Sequence, residues 1–153
     1  MNSDIGGRLP RVGAHPLLLI LISFPIACFC CALVTDAVYA QTADILWSDF
    51  SDWLLAVGLG MGVLAAIAAI ADAGAIRRAR GMRPVIAVGL GGLIVLALAA
   101  LNNFVHSRDA WTSVVPQGLG LSAITVVVIV ITAWLGAAPA VLQDRVQYVE
   151  VRR

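Results

Sequence analysis

The chain has 153 residues, a net charge of +1, 61% hydrophobic residues and 12% charged ones, against roughly 45–50% and 25% in soluble domains. A single small domain has too little interior to hide so much apolar surface. A water-soluble fold is therefore excluded, and the near-neutral balance gives no general attraction to nucleic acid.

Residues 1–14 (MNSDIGGRLPRVGA) are polar, carry Arg8 and Arg11, and read as a cytoplasmic tail. Pro16 then opens an apolar run that predicts a first helix over residues 16–36. Proline suits that first position because its missing N–H would be unpaired there anyway. Pro25 is expected to kink this helix, as neighbouring helices permit in a membrane. Arg8, Arg11, the apolar run and Val38-Tyr39-Ala40 also imitate a secretory signal. The run is longer than the usual signal core of about 7–15 residues. Asp36 and Tyr39 also make a poor cleavage region, so a retained helix is expected.

Residues 36–52, with four aspartates and no basic residue, read as an outer loop. Ser51 is the expected N-cap of a second helix over residues 52–74, with Asp52 favourably placed against its dipole. The charge-free run Trp53 to Ala71 is long enough to cross a hydrocarbon core of about 30 Å. Arg77, Arg78, Arg80 and Arg83 follow it, and clustered basic residues beside a membrane helix stay cytoplasmic.

Pro84 opens a third helix over residues 84–105. A second outer loop follows, from His106 to Val115, and then a fourth helix over residues 117–137. Residues 15–138 thus form a four-helix transmembrane domain, and residues 139–153 a second cytoplasmic tail. In that tail Leu142, Val146 and Val149 fit a surface amphipathic helix, while Val149-Glu150-Val151 alternates as a strand does. Arg108 is the one arginine of ten on the outer side. Tyr39, Trp47, Trp53 and Trp111 fall at the outer boundary and Trp134 near the inner one, as an aromatic belt requires. The fold expected is an all-α, integral membrane four-helix bundle with both termini cytoplasmic, in a bacterial inner membrane.

Apolar burial does not drive association in lipid, so close backbone approach must. Gly58, Gly62 and Ala66 on the second helix, Ala87 and Gly91 on the third, and Gly118 and Ser122 on the fourth are the small residues spaced for it. Beyond internal packing, such stripes suit a second copy or a larger, possibly redox, membrane complex.

Two histidines in a membrane bundle suggest haem, whose paired ligands must share one depth. His15 starts the first helix at the inner face and His106 follows the third at the outer face, so they read instead as interfacial polar residues. Cys28, Cys30 and Cys31 lack the second ligand pair that a zinc site needs and read as small apolar side chains. Asp36, Asp72, Asn102 and Asn103 lie at the ends of the apolar runs, which contain no ionisable group. Proton relays need such groups in the membrane core, so their absence argues against proton-coupled transport. Asp72 is expected to neutralise one of the following arginines, and Asn102 to hydrogen-bond between helices. No phosphate loop, nucleophile elbow or metalloprotease helix occurs, so no enzyme activity and no cofactor are expected.

Ala14–Ala27 (AHPLLLILISFPIA) resembles the opening HPxHPxLxxFPIA motif of bacterial membrane proteins grouped as domain-of-unknown-function family 2231. Leu33–Tyr39, Leu101-Asn102, Pro116–Ala123 and Thr132–Gly136 match in the same order. The resemblance implies four membrane helices, sometimes attached to or encoded beside redox proteins, and supplies no catalytic residues. Leu18 stands where the motif has its second histidine, and the third helix lacks a histidine near its start. The resulting expectation is a non-enzymatic accessory or anchoring subunit in the lipid bilayer, associating with itself or a partner complex. A redox subunit binding haem or quinone, with His15 or His106 as ligand or donor, is the alternative, and a small transporter the third.

Overall fold

The computed structural model describes residues 16–108 and 114–151, in four helices: α1 (Pro16–Thr42), α2 (Ile45–Arg80), α3 (Met82–His106) and α4 (Leu119–Val151). At about 1.5 Å per residue, even the 25 residues of α3 exceed a hydrocarbon core of about 30 Å. All four are long and apolar enough to cross a membrane. No strand occurs among the described residues. The N-terminal tail and His15 lie outside them.

The helix ends differ from expectation in informative ways. Residues 36–52 form no loop. Helix α1 runs on to Thr42 and α2 begins at Ile45. Asp36 and Ser51 stay helical because each finds its polar partner in a neighbouring helix rather than in water. The turn between α1 and α2 is two residues long. Ala43 takes a left-handed conformation (φ 53°) and its N–H closes α1 on the Tyr39 carbonyl at 2.8 Å. Asp44, not Ser51, caps α2, accepting from the Leu46 N–H at 3.1 Å.

At its far end α2 continues past residue 74 to Arg80. Gly81, at φ 84°, then turns the chain, and its N–H bonds the Arg77 carbonyl at 2.9 Å. That conformation favours glycine, which has no Cβ to clash. Gly81 offers α3 no side-chain cap, and Arg83 puts a positive charge in the first turn, the wrong sign for the helix dipole. A short turn, Val114–Gly118, precedes α4 and breaks at Val115 (φ −120°, ψ 126°). Val115 precedes Pro116, which pushes it into the extended region. Helix α4 continues through Pro139 to Val151, so the C-terminal segment is helical up to that residue.

Each helix packs on its sequence neighbours, and α4 closes the ring against α1. The buried positions recur every three or four residues. On α2 they are Ser48, Ser51, Leu55, Gly58, Gly62 and Ala65; on α4, Ser122, Thr125 and Ile129, continuing from Gly118 at the end of the preceding turn. Phe29, Ala32, Leu55, Ala99 and Ile129 form the apolar centre. Where glycine lies in these stripes the helices come close. A Cβ on Gly58 would sit 2.9 Å from Cys28 Cβ and from the Phe29 ring, and one on Gly91 would strike Thr132. The outer faces are apolar too. Ile70, Trp53 and Trp134 are more than two-thirds exposed, which suits contact with lipid.

Candidate functional site

The strongest polar feature lies at the end of the bundle that carries the α1–α2 turn. Asp36, about a turn and a half before the end of α1, is fully buried. Its carboxylate meets side chains from the other three helices. Oδ1 accepts from Ser51 Oγ of α2 at 2.5 Å and lies 2.9 Å from His106 Nε2 of α3. Oδ2 accepts from Ser122 Oγ of α4 at 2.6 Å. Thr35 Oγ1 lies 2.6 Å from Ser51 Oγ, and Asn102 Nδ2 donates to Ser122 Oγ at 2.7 Å. One carboxylate thus joins all four helices.

The protons of this cluster can be counted. His106 Nδ1 lies 3.1 Å from the backbone carbonyl of Asn102. A carbonyl only accepts, so Nδ1 carries a hydrogen. Nε2 then faces the Asp36 carboxyl at 2.9 Å, and two bare lone pairs would repel at that distance. A proton must therefore lie between them, on Nε2 as an ion pair or on Oδ1 as a neutral acid. In either form the pair is neutral overall, which is how a carboxyl and an imidazole can be buried together. Ser122 spends its one hydrogen on Asp36, so it must accept from Asn102 Nδ2. That fixes the amide orientation and leaves Asn102 Oδ1 buried without a protein partner. Asp52, the residue after Ser51, likewise has Oδ1 buried and unpartnered.

The chemistry this arrangement allows is narrow. Ser, His and Asp occur together, but the carboxylate stands between serine and histidine. Neither serine hydroxyl bonds the imidazole, so no nucleophile is activated. Both ring nitrogens of His106 are engaged, leaving none for iron. No group of three or more potential metal ligands occurs among the described residues.

The sequence-derived candidates are dispersed. His106 is no interfacial residue beyond α3 but its last, buried residue. Asp36 and His106 lie outside the apolar runs, as their sequence positions require, but both are helical and buried rather than exposed at a boundary. The interhelical bond expected of Asn102 goes to Ser122. Gly58, Gly62 and Gly91 lie at helix contacts, Gly118 is buried, and Ala66 and Ala87 are half-buried. Arg77, Arg78 and Arg83 are exposed; the side chain of Arg80 is outside the described set. Asp72 forms no ion pair with the described arginines, since the one ion pair among described residues is Asp36–His106. Asp36 and Ser51 were missed as a site because they are 15 residues apart and bond across helices. The three-to-four spacing of Ser48, Ser51, Leu55 and Gly58 was the signal that residues 48–52 continue the buried face of α2.

At the opposite end, next to the arginines, the helices part around a cavity of about 740 Å³. All four helices line it, from Leu18 to Phe29 on α1, Gly62 to Ile76 on α2, Pro84 to Leu96 on α3 and Ile129 to Gly136 on α4. Asp72 and Thr132 are its polar side chains.

No curated protein and no solved structure matches this chain. One family model, DUF2231, described as a predicted membrane protein, matches residues 13–149. With that match over most of its length and four helices long and apolar enough to cross a membrane, the chain belongs to the DUF2231 family of predicted membrane proteins.

Proposed function

We propose that this protein is a non-catalytic accessory or anchoring subunit of the bacterial cytoplasmic membrane. Its termini are cytoplasmic, since nine of its ten arginines then lie inside. The observation that carries the reading is the Asp36 cluster. Its hydrogen bonds are spent between helices of the same chain, so it fixes the bundle as a rigid body. The apolar outer faces of that body are then free to pack against a second copy or a larger membrane complex.

Haem ligation by His106, one form of the redox alternative, is poorly supported because both of its ring nitrogens are engaged. Proton-coupled transport has a buried ionisable pair in its favour. Asp36 is 0% exposed and His106 3%, so the proton between them has no open route.

Purification in mild detergent followed by cross-linking and mass spectrometry tests the proposal. An oligomer or a stoichiometric partner is expected, and a strictly monomeric particle without one refutes it. A Soret band or bound quinone would favour the redox reading, and proton-driven flux in liposomes the transporter.

A further inference from the structure

We propose that the arginine end of the bundle is a binding site for an anionic phospholipid, with an acyl chain in the cavity and the phosphate at the α2–α3 turn. The cavity of about 740 Å³ is within the 300–1,000 Å³ or so typical of ligand sites. An apolar occupant of that size would gain dispersion contacts along the whole lining. That lining is overwhelmingly aliphatic, so water would find almost no partners there. In a bilayer the apolar filler at hand is a lipid tail.

Charge selects the headgroup. The cavity reaches the arginine turn, because Ala75 and Ile76 of α2 and Pro84 and Val85 of α3 line it. Arg77, Arg78 and Arg83 flank those residues, are exposed, and form no ion pair among the described residues. Arg78 folds back along α2, with Nη1 3.9 Å from where a Cβ on Gly74 would lie. Asp72 opposes an anion as the one carboxylate in the lining, against three exposed arginines that adjoin the lining residues Ile76 and Pro84 in the chain. A phosphate there would also offset the wrong-signed charge of Arg83 at the start of α3.

The glycines give a clean way to block the tail. A Cβ on Gly89 or Gly92, both in the lining, meets nothing within 4 Å. The double variant G89L/G92L therefore fills the cavity without touching the arginines. The full chain is reconstituted in nanodiscs of phosphatidylcholine, with or without phosphatidylglycerol, and retained lipid is read by native mass spectrometry.

Wild type is expected to retain phosphatidylglycerol selectively. R77Q/R78Q/R83Q should retain it roughly a hundredfold more weakly, since each arginine near a bilayer surface contributes about fivefold. G89L/G92L should lose retention with its arginines intact, and D72N should strengthen it. Circular dichroism verifies folding; if G89L/G92L fails to fold, A69L blocks the same cavity from α2. Equal retention of both lipids by wild type overturns the proposal. So does selectivity unchanged in the cavity-filled variant, which would mean ordinary surface attraction. A dimer that disappears in the cavity-filled variant overturns it too, naming a second copy as the occupant.

Discussion

The two ends of this bundle solve helix association in opposite ways. At the α1–α2 turn end, a few polar groups converge and the helices close around them. At the arginine end the same four helices carry mostly Ala, Ile, Gly, Val and Leu inward and leave a cavity of about 740 Å³. Apolar side chains gain nothing by leaving lipid for one another, so an apolar interior has no strong reason to close. A hydrogen bond does, because a polar group left in hydrocarbon costs several kcal/mol. The polar end sets which helix lies beside which, and the apolar end is left free to accommodate something else.

The most severe way to break this contrast is to remove its hub. Asp36→Ala leaves His106, Ser51 and Ser122 without the carboxyl that joins them. Breaking a buried pair by deleting one partner costs about 3–5 kcal/mol in soluble proteins. The loss expected here lies toward the lower end, because the unfolded state in a membrane also finds partners. Asp36→Asn keeps one acceptor oxygen and should lose less. Thermal unfolding in detergent, followed by circular dichroism, measures both. Equal stability of wild type and Asp36→Ala would show that the cluster is no lock.

Glycine substitutions sharpen the comparison next. A Cβ on Gly91 would strike Thr132 of α4, so Gly91→Ala should cost about 1–3 kcal/mol by overpacking. Gly89, two residues earlier, faces the cavity and a Cβ there meets nothing within 4 Å. Gly89→Ala should instead stabilise by up to about 1 kcal/mol, since alanine is the better helix former. Opposite signs are expected from one residue type on one helix, and like signs would contradict the packing described.

Much of this was legible in the sequence. Four long apolar runs and an arginine cluster report directly on lipid, and the four helices follow from them. Helix ends were less legible, because a charge in an apolar chain ordinarily marks an exit to water. Asp36 and Ser51 broke that rule by being paired, and no single sequence displays that pairing. Asp36 is 70 residues from His106 and 86 from Ser122. The glycines present the converse problem: their spacing announces contact surfaces without separating Gly91, which is pressed against Thr132, from Gly89, which faces open space.

The finest test compares two buried hydroxyls on α4, Ser122 and Thr125, both only 2% exposed. Ser122 donates to Asp36 and accepts from Asn102, so it bridges three helices. Thr125 donates to the Leu121 carbonyl of its own helix at 2.7 Å. Removing the first hydroxyl loses two interhelical bonds; removing the second loses one that binds no helix to another. Interhelical side-chain bonds in membranes average about 0.6 kcal/mol, so Ser122→Ala should cost roughly 1 kcal/mol. Thr125→Val, close in shape, should fall within about 0.5 kcal/mol of wild type, since it sheds only a local bond. In the Asp36→Ala background the cost of Ser122→Ala should shrink, because its acceptor is already gone, while that of Thr125→Val stays as it was. Additive behaviour for Ser122 would mean that Asp36 and Ser122 do not act as one network, and that the closed end of the bundle is held by shape, as glycine contacts hold the rest.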